Sequence, residues 1–202
     1  MRQGLLYLLV ASLLFGCTSI PLSSISKLSS LDPATADFIQ MEVAVRVEDD
    51  YLLYKDGTLL ILTLLTDAQE PEVEDVRHKL VLQPIEDGLT TKLEGERKKG
   101  FYLARFRVNP NDEETVQSFR EEVVRRRAAY PNQNSFNITA GVNGCFKEGA
   151  NPFRDQRYSV YLRRSAGEDY FTLFRETKLP NKNGDGDFDY CETGADARPL
   201  LD

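Results

Sequence analysis

The chain has 202 residues, 41% of them apolar and 28% charged, a globular composition that suits one domain and is long enough to bury a core. Its formal charge of −7 argues against a nucleic-acid partner, because phosphate binding needs clustered Lys and Arg that no acidic surround cancels. His78 is the single histidine, which excludes a multi-histidine metal centre and paired histidine acid and base roles, and there is no HExxH, GxSxG, GxGxxG or P-loop pattern.

In chain order, Met1 to Gly4 carries Arg2 and leads into an apolar run of eleven residues, Leu5 to Phe15. The run is too short to span a bilayer and has the length of the apolar part of an export signal. It ends in Leu14, Phe15, Gly16 and Cys17, a stretch that resembles the lipobox of bacterial lipoproteins, with a small residue just before the cysteine. The resemblance implies a signal peptide over residues 1–16, cleavage before Cys17, and acylation of Cys17 as the first residue of the mature chain. Several acyl chains give a stable anchor where one is marginal. Thr18 rather than Asp follows the cysteine, which by the family's sorting rule implies the outer membrane.

Residues 17–36 read as a lipidated tether, rich in Ser, with Pro21 and Pro33 and no sustained period. A single β-rich domain is expected over residues 37–202. Its first strand is marked by Ile39, Met41, Val43, Val45 and Val47 alternating with Gln40, Glu42 and Arg46. Thr58 to Leu65 is a nearly continuous apolar run of strand length. His78 to Leu82 is short and ends near Pro84, and Phe101 to Val108 puts Tyr102, Ala104, Phe106 and Val108 on one face. The charged stretch "LEGERKKG", residues 93–100, reads as a solvated loop, and His78 as a surface or edge residue.

One helix is expected from Asn111 or Asp112, either of which can cap it, to about Ala129. Glu113 and Glu114 fall in its first turn, Val116, Phe119 and Val123 follow helical spacing, and Arg125 to Arg127 form a solvated basic end that complements the terminal carbonyls. Beyond it Phe136, Ile138, Ala140 and Val142 alternate, and "NG" at Asn143 and Gly144 marks a turn. Arg157 to Arg164 and Tyr170 to Arg175, joined by "SAGED", read as a hairpin with Tyr158, Tyr161, Phe171 and Phe174 in the core. Seven strand-like segments against one helix predict a mainly β fold, an antiparallel β-sandwich, with a small closed β-barrel as the alternative.

With Cys17 assigned to lipid, Cys145 and Cys191 remain as an even pair in an exported chain, where disulfides persist, and they are expected to be bonded. Cys191 lies in "NKNGDGDFDYCE", residues 181–192, whose oxygen-bearing side chains fall at the ligand positions of the twelve-residue calcium loop. Asn181, Asn183 and Asp185 occupy the first, third and fifth positions, Gly186 the turn, Asp187 the carbonyl position, and Asp189 and Glu192 the ninth and twelfth. Pro180, Gly194 and Pro199 argue against flanking helices, and the stretch resembles the thrombospondin type 3 repeat, whose loop is braced by disulfides. The resemblance implies weak, structural Ca²⁺; the alternative is a Gly-rich acidic turn. These features lead to the expectation of a membrane-anchored, periplasm-facing lipoprotein whose β domain is structural or binds an envelope protein. A carboxylate-dependent hydrolase and a carrier of an apolar ligand in a hollow barrel are the alternatives.

Overall fold

A computed structural model describes residues 21–66, 73–86, 88–151, 156–179 and 189–192. Strands β1 (Glu42–Glu48), β2 (Tyr51–Thr66), β3 (Val76–Pro84), β4 (Phe101–Val108), β5 (Asn134–Phe146), β6 (Arg157–Arg163) and β7 (Phe171–Lys178) form one sheet in the order β5-β2-β3-β4-β1-β6-β7. Every neighbouring pair is antiparallel. The mainly β, antiparallel architecture expected from the alternating segments is the one observed, with the sheet curled into a half-barrel around its own core.

The period-two pattern explains the inner face. Val43, Val45 and Val47 of β1, Leu60, Leu62 and Leu64 of β2, Leu80 and Leu82 of β3, and Phe106 and Val108 of β4 are fully or almost fully buried in a single cluster. Helix α3 (Glu113–Ala129) adds Val116, Phe119 and Val123 to it. Phe119 meets Phe38 edge-on at 5.9 Å and His78 at 5.6 Å, so His78 is half-buried under the helix rather than at an open edge. Asn109 accepts from the Asn111 N–H at 2.9 Å in the 3-10 turn that leads into α3, two positions before Asn111, the nearer of the two caps expected from sequence.

The basic end of α3 is not wholly solvated. Arg126 is buried, donating to Glu122, to the Thr66 hydroxyl at 2.6 Å and to the Glu74 carbonyl at 2.5 Å, and it thereby ties the helix to the ends of β2 and β3. Its aliphatic stem lies along the core side while the guanidinium finds partners, which a charge count does not show.

Asn143 and Gly144, expected to form a turn, lie inside β5. Opposite them β2 carries a bulge, in which Tyr54 to Gly57 face Asn143 before the register resumes at Thr58 and Val142. The glycines are there for closeness: a Cβ on Gly144 would sit 2.0 Å from the Leu52 carbonyl oxygen, and one on Gly57 2.3 Å from that of Asn143. The bulge also breaks the alternation, which is why β2 begins at Tyr51 rather than at Thr58.

Residues 21–36, expected to belong to the tether, are folded against the sheet. Helix α1 (Leu22–Ser29) is followed by Leu31, Ala34 and Ala36, which pack with Leu28 on the core. The Ser24 hydroxyl donates to the Thr172 carbonyl, Arg164 donates to the Ser30 hydroxyl at 3.0 Å, and Arg127 pairs with Asp32 at 2.7 Å. A few apolar contacts and these polar ties suffice where the Ser-rich composition alone reads as flexible.

Candidate functional site

The outer face of β4, β1 and β6 is also covered. The connection from β3 to β4 folds back over it, carrying the short helix α2 (Thr91–Glu94), whose Leu93 is fully buried against Ala44, Tyr161 and Tyr170, with Leu89 and Leu103 alongside. The stretch read as a solvated loop therefore contributes a small second core.

Around that core lie two ionic groups built from alternate positions of neighbouring strands. Glu42 accepts from Arg105 at 3.0 Å, from Arg163 and from the Tyr170 hydroxyl, and Arg105 donates further to the Gly88 carbonyl. Burial pushes the Glu42 carboxyl up, but hydrogen bonds from Tyr170, Arg105 and Arg163 outweigh it and hold the group below its ordinary value. Burial, helped by the Glu42 carboxylate, pushes Tyr170 up to about 12. In the second group Arg46 donates to the Glu96 carbonyl at 2.7 Å and to the Ser159 hydroxyl at 3.3 Å, and lies 3.3 Å from the Glu96 carboxylate and 3.5 Å from that of Glu176. Lys98 pairs with Glu176 at 2.9 Å, and the Tyr161 hydroxyl donates to Glu96 at 2.9 Å.

Between β3 and β4 the sheet comes apart. The two strands pair only where Leu82 to Pro84 face Val108 to Phe106, with one further bond from the Ile85 N–H to the Arg105 carbonyl at 2.8 Å. Beyond that point the chain turns away toward α2 while β4 runs on to Phe101. The gap is a cleft of about 410 Å³ lined by Pro84, Ile85, Leu89, Arg97, Leu103 and Arg105. It adjoins a lobe of about 250 Å³ that adds Arg46, Lys98 and Phe101 and shares Leu89, Arg97, Tyr102 and Leu103. Tyr102 spans the opening, its hydroxyl accepting from the Leu53 N–H at 2.8 Å and so linking β4 to β2 where β3 no longer separates them. Lys98 lies 4.6 Å from the centre of the Phe101 ring and Arg46 5.8 Å from it.

Backbone direction in an antiparallel strand alternates from residue to residue. Arg105 presents its carbonyl to β3, whereas the Val108 N–H reaches Met41 on the β1 side. Leu103 has the parity of Arg105, so its N–H and carbonyl point into the cleft, where they meet no partner among the described residues.

The expected cysteine pair is formed: Cys145 and Cys191 are disulfide-bonded with Cα atoms 4.9 Å apart. The bond fastens a short parallel bridge in which the Phe146 N–H donates to the Asp189 carbonyl at 2.8 Å and the Cys191 N–H to the Phe146 carbonyl at 2.9 Å. Asp189 and Glu192 flank this bridge with exposed side chains. Asn181, Asn183, Asp185 and Asp187 lie outside the described residues, as does Cys17. Among the described residues no group of three or more His, Cys, Asp or Glu is arranged to hold a metal ion, and no helix is long and apolar enough to cross a membrane. Glu42, Arg46, Arg105 and Arg163 were not singled out from the sequence. The available signal was opposite charges at alternate positions of β1, which places Glu42 and Arg46 on one face.

No protein-family model matches the chain, and no curated protein or solved structure is detectably similar to it.

Proposed function

We propose that the protein is a lipoprotein of the outer membrane, anchored through acylated Cys17 and facing the periplasm, whose β domain binds a partner protein. The observation that carries this reading is the apolar run Leu5 to Phe15 closing on Leu14, Phe15, Gly16 and Cys17. The bonded Cys145 and Cys191 support it, because such a pair persists in an oxidising compartment. Binding is favoured over hydrolysis because the carboxylates on the cleft's buried arginines are taken up in ion pairs, Glu42 with Arg105 and Arg163 and Glu96 with Arg46, and Glu86 is the one described carboxylate in the lining itself. An inner face filled by Phe38, Phe106, Phe119, Leu60 and Leu62 favours it over an apolar carrier.

Metabolic labelling with a fatty-acid analogue tests the anchor. The wild type should incorporate label and Cys17→Ser should not, remaining unprocessed or released; an unlabelled wild type would sink the reading.

The proposal includes weak Ca²⁺ binding by residues 181–192, which supply three side-chain carboxylates, Asp185, Asp189 and Glu192, beside two neutral amides. So few charges place the affinity near the roughly 10⁻⁴ to 10⁻³ M of extracellular modules. Binding confined to the folded state raises stability by about 1.4 kcal/mol at ten times the dissociation constant. Calorimetric unfolding in millimolar calcium should therefore run above unfolding in chelator, and Asp185→Ala with Glu192→Gln should remove the difference. Identical melting temperatures in the wild type would reduce the stretch to a turn.

A further inference from the structure

We propose that the cleft along β4 is the partner site: it takes an extended, acidic peptide segment that pairs its backbone with Leu103 and sets a carboxylate against Arg97 and Lys98. This deepens the protein-binding reading and rests on it.

The backbone carries the first part of the argument. Strand pairing on the β3 side of β4 stops at Arg105, leaving the N–H and carbonyl of Leu103 aimed into an open cleft. Strand ends of this kind are templates for an added strand, in which main-chain hydrogen bonds give affinity and side-chain pockets give selectivity. From Arg105 to Phe101 the open stretch spans four residue steps, roughly 13 Å at 3.4 Å per step, enough for a short segment and no more. The floor is already fixed, since Tyr102 reaches across to Leu53 beneath the gap.

The side chains carry the second part. Pro84, Ile85 and Leu89 offer apolar surface on one wall. Among the described residues four cations, Arg46, Arg97, Lys98 and Arg105, line the two lobes, against Glu86 as the lining carboxylate. Arg46 and Arg105 are themselves buried and each is held by several partners, so they serve as walls. Arg97 and Lys98 differ: their pairs with Glu94 and Glu176 have side chains 65% and 47% exposed in one case and 46% and 39% in the other. Surface pairs of that kind contribute little and exchange readily, so either cation can turn to an incoming carboxylate. The chain as a whole is acidic at −7, so an acidic segment is repelled elsewhere and directed to this basic opening.

The test uses the full chain bearing Cys17→Ser and three blocked pentapeptides: Val-Glu-Val-Glu-Val, its Val/Lys counterpart, and the Glu peptide N-methylated at the central valine. The Glu peptide should bind saturably, shift the Leu103 amide resonance, and slow its hydrogen exchange at least tenfold. Arg97→Glu, at an exposed position, should weaken binding roughly tenfold with the melting temperature unchanged. The N-methylated and Lys peptides should fail. Equal binding by the N-methylated peptide would overturn strand pairing, equal binding by the Lys peptide would overturn the charge argument, and an unmoved Leu103 amide would overturn the site. Photo-crosslinkers placed in the envelope-exported protein separate this from the broader reading. A partner captured only from positions remote from β4, with no peptide bound, removes the cleft assignment alone. No captured partner at any position removes the protein-binding reading itself.

Discussion

Glu42→Gln will lower the stability of the domain by about 3 kcal/mol, because it removes the anion that Arg105 and Arg163 share on a covered face. Its side chain is 14% exposed and those of the two arginines 8% and 13%, so water cannot replace it fully, although this residual access keeps the loss near the lower end for buried pairs. The amide still accepts one hydrogen bond, but two guanidinium groups then face each other across it. Replacing all three side chains by apolar ones, Glu42→Leu with Arg105→Met and Arg163→Leu, should recover most of the loss, since the pairing is nearly balanced by the desolvation it requires. Urea unfolding of the two variants checks this, and a Gln variant within 0.5 kcal/mol of wild type would show the group to be solvated. The pH dependence has a definite sign. Glu42 in the folded state titrates below the ordinary 4.5, so its contribution is complete above that value and is lost as the pH falls through the folded one. Glu122, held at about 2 chiefly by Arg125, behaves in the same way, and Glu42→Gln should leave its share of the acid sensitivity intact while removing its own.

The second large effect is expected at the disulfide. Cys145→Ala with Cys191→Ala opens a loop closed over a separation of 46 residues. In the chain-entropy model this lowers stability by about 4 kcal/mol, or about 8–16 °C in melting temperature for a domain of this size. The double variant should also show a steeper urea dependence, because the uncrosslinked unfolded chain exposes more surface. Wild type in reductant should match it. A midpoint unchanged by either treatment would mean that the main-chain bonds between Phe146 and the 189–191 segment hold that end without covalent help. The same variant should weaken any Ca²⁺ dependence, since Asp189 and Glu192 flank the bridge that the disulfide fastens.

Much of the fold is written in local patterns. The inward valines of β1 and the run Tyr102, Ala104, Phe106 and Val108 of β4 alternate because one face meets an apolar core and the other an ionic layer. Helix α3 carries its apolar stripe and its acidic first turn within a single window, and the disulfide follows from cysteine parity once Cys17 is set aside for lipid. What was not legible depends on register or on absence. Glu42 finds Arg163 because the two are paired across β1 and β6, and no single segment contains that information. Gly144 looks like a turn residue, and only the approach of Leu52 shows that it makes room. The cleft is the extreme case: β4 has the same alternation whether or not a neighbour pairs with it, so the bonds that Leu103 lacks among the described residues leave no mark on its sequence.

The packing of α1 bears on how the domain would stand at a membrane. If Cys17 is the acylated residue, only four peptide steps separate it from Pro21, which leads directly into α1, and even a fully extended chain covers no more than roughly 14 Å over that distance. An anchor that close would not let the domain survey the periplasm. On that proposal it would hold the side bearing α1 and β7 toward the lipid headgroups, restrict rotation about the anchor, and limit the partners within reach to those lying at the membrane surface.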